Sequence, residues 1–247
     1  MSDDLHLSQI QTMWSVVRQA SGDHTAVQQA QLSLLDRYRG AIRRYAIAAL
    51  KDEDAADEVV QEFALKFVRG DFSKADPGRG KFRAFVKTIV YRLIVDYQRR
   101  RKGLLREGPL HSNIAEPAAD ESDLDVADDV AFRASWRDEL LARCWQRLEE
   151  DEKKSGKHHY TVLKFRVEHP DNHSPELAAG LSQKLGKQIN AGAVRVLIHR
   201  ARDAFADVLL DDVAHSLEGQ SLDEIEEELI ELNLLEYCKP ALDRRRG

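Results

Sequence analysis

Residues 82–102 read FRAFVKTIVYRLIVDYQRRRK, and apolar side chains recur along them with helical spacing. Intervals of three and four residues place these apolar side chains on one face of a helix. They are Phe82, Phe85, Val86, Ile89, Val90, Leu93, Ile94 and Tyr97. The other face carries Arg83, Lys87, Tyr91, Arg92 and Arg99, and the segment ends in four consecutive basic residues. One side is therefore predicted to meet a protein core, and the other side is predicted to meet an anion.

An ordinary amphipathic helix with a solvated basic end would show the same pattern. Two features favour nucleic acid instead. Tyr91 lies among the charged residues, where its ring could stack on a base, and residues 79–106 contain ten basic side chains against one acid, Asp96. Basic side chains interleaved with an aromatic ring suit single-stranded or distorted nucleic acid.

The composition predicts an all-α protein. Ala, Leu, Glu, Arg, Lys and Gln make up about half of the 247 residues, prolines number only 6, and strand-like alternation is almost absent. The formal net charge of -6 does not exclude a nucleic-acid partner, because local charge density steers binding more than the total does.

Several kinds of protein are disfavoured by what the sequence lacks. No apolar run is long enough for a membrane span, and the N-terminus has no signal-peptide core. Cys144 and Cys238 form no CxxC pair, so neither a disulfide nor a thiolate zinc site is expected. No Gly-rich phosphate loop, nucleophile motif or metal cluster indicates an enzyme. We expect a cytoplasmic protein without membrane insertion, cofactor, metal site or catalytic residues.

A second informative helix is predicted over residues 52–68. One face is apolar, and a different face combines acids with a leucine. The members of that second face are Asp54, Asp57, Glu58, Gln61, Glu62 and Leu65. Acids near a helix N-terminus are favoured by the helix dipole alone, which is the simpler explanation. The functional interpretation is a partner-docking face, in which an acidic rim surrounds a protruding leucine.

The chain is predicted to contain two helical domains, at residues 1–107 and 130–212. Residues 108–129 are polar and acidic with little periodicity, so we expect a flexible linker there. The second unit is expected to begin near Phe132. An acidic extension follows over residues 213–247, in which Leu222, Ile225, Leu229 and Leu232 form an apolar stripe flanked by acids. That helix could cap the second domain, or it could compete with DNA for a basic face until a signal displaces it.

The second domain carries another nucleic-acid signal. Ser174 followed by Pro175 suits a helix start with a hydroxyl N-cap, Gly186 suits its end, and Asn190 suits the N-cap of the next helix. Two helices joined by a glycine turn suggest a helix-turn-helix. Its second helix would place Asn190, Ala191, Gly192, Arg195 and Val196 nearest base edges, with His199, Arg200 and Arg202 on or beside the exposed face. A helical hairpin with solvated arginines is the alternative.

Three motifs in this order resemble the bacterial sigma factors of the extracytoplasmic-function group. They are DEDAADEVVQEFALKFV at residues 52–68, GKFRAFVKTIVYRLIVDYQRRRK at 80–102 and INAGAVRVLIHRARDAF at 189–205. Together with connecting helices the resemblance covers most of residues 34–210, and both ends of the chain are similar to the planctomycete type. The helix before Ile189 is several residues longer than in the usual pattern of these sigma factors. The extension over residues 213–247 lies outside their minimal two-domain arrangement.

The resemblance implies a sigma factor that binds core RNA polymerase and directs promoter-specific transcription initiation. The face of Asp54, Asp57, Glu58, Gln61, Glu62 and Leu65 would dock on the polymerase clamp helices. The −10 element would meet Phe72, Arg79, Lys81, Arg83, Lys87, Tyr91, Arg92, Arg99, Arg100, Arg101 and Lys102. The −35 element would meet Asn190, Ala191, Gly192, Arg195, Val196, His199, Arg200 and Arg202.

The partners implied in this way are core polymerase and promoter DNA, with an anti-sigma factor or a regulatory kinase as further candidates. An autonomous helix-turn-helix regulator that acts without polymerase remains the alternative function. An RNA-binding role for the basic cluster is also open, although the second unit fits duplex DNA better.

Overall fold

The computed structural model describes residues 24–72, 75–76, 78, 81–101, 126–217 and 221–247, and this part of the chain is all-α, as predicted. It contains nine α helices and no β strand. In chain order they are α1 (His24–Leu50), α2 (Glu53–Val68), α3 (Phe82–Arg101), α4 (Val126–Ser155), α5 (His159–Glu168), α6 (Ser174–Leu185), α7 (Ala191–Ser216), α8 (Leu222–Glu231) and α9 (Leu235–Arg246).

These helices divide between two compact units. Helices α1, α2 and α3, with residues 126–139 of α4 and residues 214–225, belong to the first unit. The second unit contains residues 140–213 and 226–247. The predicted linker over residues 108–129 lies outside the described residues up to position 125, and from Val126 onward the chain is helical.

The first unit is held together by an aromatic core to which α4 contributes. Tyr38 of α1 stacks on Trp136 with 4.3 Å between ring centroids, and Tyr45 meets Phe132 edge to face at 5.1 Å. All four side chains are buried. Phe132 was predicted to begin the second unit, but its ring packs in the core of the first. The start of α4 is therefore a structural part of this unit.

The second unit is built around α7. Trp145 of α4 packs against Phe205 at 5.0 Å, and Leu209, Leu210 and Cys144 are fully buried. Cys144 is thus a core residue of this unit. Helices α5 and α6 approach closely at Gly180, where an added Cβ would lie 2.3 Å from the Phe165 ring. Glycine at this position is what allows the two helices to pack.

The C-terminal extension forms two helices, and its second part packs within the second unit. Leu229, Cys238, Ala241 and Leu242 are almost fully buried there. Since these side chains complete a core, residues 226–247 behave as a capping element of the second unit. None of the helices described is long and apolar enough to cross a membrane.

Candidate polymerase-docking and nucleic-acid surfaces

Helix α2 is anchored at its start and along its apolar side. The Asp52 carboxylate accepts a hydrogen bond from the backbone N–H of Ala55 at 3.2 Å, which caps the helix. Val59, Phe63 and Phe67 are buried in the core of the first unit. This anchoring fixes which side of α2 faces outward.

The outward side of α2 keeps four of the six residues predicted to dock a partner. Asp54, Glu58 and Gln61 are exposed, and the Leu65 side chain is exposed as well, at 56%. Single exposed leucines are common on protein surfaces. Leu65 stands out because Asp54, Glu58 and Gln61 share its side of the helix at intervals of three and four residues. These four residues define the acidic-leucine face.

The other two residues predicted for docking are held by arginines of the same unit. Asp57 accepts hydrogen bonds from Arg43 at 2.7 and 3.2 Å, and these bonds hold the pKa of Asp57 below its usual range. Glu62 accepts from Arg100 at 2.7 Å. Both carboxylates therefore already have a positive partner, and they orient α2 within the unit.

Helix α3 exposes only part of its predicted basic side. Arg92 and Arg99 are exposed and form no ion pair with any residue that the structure describes, and Tyr91 lies half-buried beside them. Arg100 and Arg101 are also exposed, but they pair with Glu62 and Asp52 of the α2 region. The exposed basic strip of α3 thus consists of Arg92, Arg99, Arg100 and Arg101.

The prediction that Arg83 and Lys87 face outward is wrong. Arg83 is only 5% exposed and Lys87 only 8%. The reason is the start of α4, where the Asp129 carboxylate accepts a hydrogen bond from Lys87 Nζ at 2.5 Å and lies 2.7 Å from Arg133. Burial works against ionisation of Asp129, but Lys87, Arg133 and Arg83 outweigh it and lower its pKa. Asp129 was predicted to lie in a linker.

Phe72 also differs from the prediction. The resemblance implied that Phe72 contacts the −10 element, which requires an accessible side chain. Instead its side chain is 5% exposed, and its ring lies 5.7 Å from Phe85 and 5.9 Å from Phe63. The loop backbone turns at the surface while this ring closes the aromatic core. Lys81 is half-buried, and Arg79 and Lys102 lie outside the described residues.

The second candidate surface begins at the turn between α6 and α7. Gly186 adopts a left-handed conformation with φ of 62°, which ends α6. Ser182 Oγ accepts from the backbone N–H of Ile189 at 2.9 Å, and Asn190 Oδ1 accepts from the N–H of Ala193 at 2.8 Å. Asn190 is therefore the N-cap of α7, as predicted, and the turn is fixed on both sides.

The predicted cap at the start of α6 needs one correction. Ser174 is the first helical residue and does not cap the helix. The residue before it, His173, accepts from Leu177 N–H through its backbone carbonyl, and its own N–H donates to Glu176 Oε2 at 2.6 Å. The helix therefore begins at Ser174, one residue earlier than a hydroxyl N-cap at Ser174 would predict.

The residues predicted to read DNA lie together on the early part of α7. Asn190, Gly192, Arg195, Val196, His199, Arg200 and Arg202 are exposed, and Ala191 is half-buried. Val196 is 50% exposed. His199 Nδ1 lies 2.9 Å from an Asp203 oxygen. The small side chains at the start of α7 leave its backbone open to close approach.

A groove of about 370 Å³ runs beside this face. Arg195, His199 and Arg202 line one side, and Arg166 and His173 line the other. Arg166 Nη1 donates to the backbone carbonyls of His169 and Pro170 at 2.8 Å each, which orders the turn before α6. Sequence reasoning missed Arg166 and His173. A basic residue one turn before a His-Pro helix stop was the available signal.

A comparison with protein-family models finds a match for the segment that contains α2 and α3. Residues 34–103 match the family model of sigma-70 region 2. The match contains all of α2 and α3, and hence both the acidic-leucine face and the exposed basic strip. It supports a sigma-70 family RNA polymerase sigma factor, with a role in transcription initiation by RNA polymerase. Core RNA polymerase and promoter DNA are the partners that this family implies.

Comparison with curated proteins and with solved structures gave no match. The matched segment supplies no catalytic chemistry in the family, since a sigma factor directs the polymerase that does the chemistry. In the part of the chain that the structure describes, no three His, Cys, Asp or Glu side chains come together as metal ligands.

Proposed function

We propose that this protein is a sigma factor of the extracytoplasmic-function group, and within it of the planctomycete type. It binds core RNA polymerase and directs it to promoters. The observation that carries the proposal is the region 2 match on a segment that presents an acidic-leucine face on α2 and a basic strip on α3. The two surfaces lie on neighbouring helices of one unit, so polymerase and DNA can be engaged at the same time.

The acidic-leucine face is the proposed docking site for the polymerase clamp. Asp54 and Glu58 would steer a basic partner surface, and Leu65 would provide the apolar anchor. Asp57 and Glu62, which are already paired, would position α2 rather than contact the partner directly. This division narrows the docking set to four residues.

The −10 element is proposed to meet the exposed basic strip of α3, with Tyr91 beside it. Arginines that contact phosphates position the DNA, and an aromatic ring can stack on an unpaired base. Arg83, Lys87 and Phe72 are left out of this proposed surface because they are buried.

The −35 element is proposed to meet α7, with α6 and α7 as a helix-turn-helix. The fixed turn places Asn190, Gly192, Arg195 and Val196 first on an exposed helix start, where such motifs enter the major groove. Arg195 would favour guanine, which offers two acceptors to a guanidinium group. Arg202 and His199, which line the groove, would lie nearer the sugar-phosphate backbone of the DNA.

Affinity capture of purified bacterial core polymerase tests the proposal. Wild-type chain immobilised at equal density should retain core polymerase, and Glu58→Lys should retain far less, because it places a cation at the centre of the acidic-leucine face. Glu150→Lys is the matched control, since it makes the same charge change at an exposed helix position of the second unit.

Each outcome has a defined meaning. Equal capture by wild type and both variants would rule out α2 as the docking face. Failure of the wild type to retain core polymerase, while binding duplex DNA tightly and with sequence preference, would favour the autonomous regulator instead. A cytoplasmic location follows from the proposed partner.

A further inference from the structure

Helix α7 carries a stripe of acids on the side next to its proposed DNA-reading residues. Asp203, Asp207 and Asp211 are spaced four residues apart, which places them along one side of the helix. At a rise of about 1.5 Å per residue, Asp203 lies about 12 Å along the axis from Arg195. The Debye length is about 8–10 Å near physiological salt and about 30 Å at 0.01 M, so a charge at this distance acts mainly at low salt. Uncompensated, this acid stripe would repel the phosphates of a duplex bound at the start of α7.

The end of α9 supplies the compensating charge. Arg244 Nη1 lies 3.1 Å from Asp203 and its Nη2 lies 3.6 Å from Asp207. Arg245 Nη2 lies 2.8 Å from Asp211 and also donates to the Asp207 backbone carbonyl at 3.1 Å. Two consecutive arginines therefore contact all three carboxylates of the stripe.

Helix α9 is held in place by contacts that do not depend on these charges. Cys238, Ala241 and Leu242 are buried in the second unit. Tyr237 meets Phe205 edge to face at 5.9 Å, and its hydroxyl lies 3.4 Å from the Arg202 carbonyl. Burial raises the pKa of Tyr237 to about 12, so the phenol stays neutral. The arginines are thus presented to the acid stripe by a helix with its own apolar anchor.

We propose that α9 is an electrostatic shield: Arg244 and Arg245 neutralise the acid stripe of α7 so that the second unit can approach DNA. The inference rests on the proposed function, since that function assigns the start of α7 to the duplex. It has the opposite sign to the hypothesis, drawn from sequence, that the extension competes with DNA. Here the extension assists binding.

The test compares full-length variants for binding to a short fluorescent duplex of random sequence at low salt. Arg244→Ala with Arg245→Ala should weaken binding by about three- to tenfold, because the carboxylates lose their partners. Adding Asp203→Asn, Asp207→Asn and Asp211→Asn to the same chain should restore wild-type affinity. The difference should shrink as salt rises.

Several outcomes would overturn the shield. One is unchanged or tighter DNA binding by the double alanine variant. Another is a loss of affinity that the three asparagine substitutions do not restore, since such a loss would indicate direct arginine–phosphate contacts or misfolding. Arg244→Lys with Arg245→Lys keeps both charges and should bind like the wild type, which separates charge from packing. Repeating the series with Arg92→Ala and Arg99→Ala, the two arginines of the α3 strip outside the ion pairs with α2, reduces the contribution of α3.

This experiment uses neither polymerase nor promoter. A chain that fails to capture core polymerase but shows the loss and its rescue would contradict the sigma-factor proposal and leave the shield standing. A chain that captures polymerase but shows no loss of duplex affinity in the double alanine variant would contradict the shield and leave the sigma-factor proposal standing. Absence of any duplex binding by the wild type would overturn the shield.

Discussion

Helices α3 and α7 were both predicted as amphipathic helices with one basic, DNA-facing side, and the structure treats them differently. Helix α7 keeps Arg195, Arg200 and Arg202 exposed. Helix α3 keeps Arg92 and Arg99 exposed but buries Arg83 and Lys87. The same pattern of charge therefore led to one exposed surface and one surface that is half covered.

The difference comes from a carboxylate that is distant in sequence. Lys87 is buried because Asp129, 42 residues later in the chain, supplies a negative partner at 2.5 Å. A buried cation without such a partner would be strongly unfavourable. The acid stripe of α7 shows the mirror case, in which Arg244 and Arg245 arrive from the C-terminal extension. In both helices, a segment remote in sequence decides which charges are paired and which remain exposed.

The largest expected effect concerns the segment that covers α3. Trp136→Ala removes the ring stacked on Tyr38, so we expect the first unit to lose about 3–5 kcal/mol of unfolding free energy. Urea unfolding followed by far-UV circular dichroism measures it. Val130→Ala, an exposed change on the same helix, should have little effect. Equal, small effects of both variants would show that α4 does not complete this core.

Lys87→Met should have an intermediate effect on stability. The variant leaves Asp129 without its buried partner, and we expect a loss of about 1–3 kcal/mol at neutral pH. Because the folded-state pKa of Asp129 is lowered, the stability gained from its ionisation is present above its unfolded pKa and is lost as pH falls through the folded value. The gap between wild type and Lys87→Met should therefore narrow below about pH 4.

The same variant sharpens the comparison on the DNA side. Lys87→Met should leave the salt dependence of DNA binding unchanged, since a buried ammonium group cannot contact phosphate. A reduced slope would mean that the start of α4 opens to release Lys87 and would contradict the covered state of α3.

The smallest expected effect on stability is that of Arg92→Ala. We expect a several-fold loss of affinity for single-stranded DNA and a drop of about 0.7 in the slope of log affinity against log salt, with stability almost unchanged. Arg39→Ala is the control, because it removes an exposed arginine from α1 instead. An identical slope for wild type and Arg92→Ala would remove the exposed strip of α3 as a DNA contact.

The helices themselves could be predicted closely from the sequence. The apolar periodicity of residues 52–68 predicted α2, and the cap at Asn190 predicted α7, each within a residue of the observed start. The acidic run before Phe132 lacks periodicity and resembles a linker, so neither the start of α4 nor its pairing with Lys87 could be predicted. Phe72 follows a helix end, which predicts a loop backbone but does not determine where the ring points. Helical periodicity assigns a side chain to a face, whereas burial also depends on what packs against that face.

We propose that this chain directs core polymerase to promoters. Run-off transcription on fragments of its own genome, with core polymerase in the presence and absence of the chain, tests it most directly. We predict discrete transcripts that start at defined positions only when the chain is present. Glu58→Lys should abolish these transcripts, and Glu150→Lys should not. Transcript patterns that are the same with and without the chain would contradict the account.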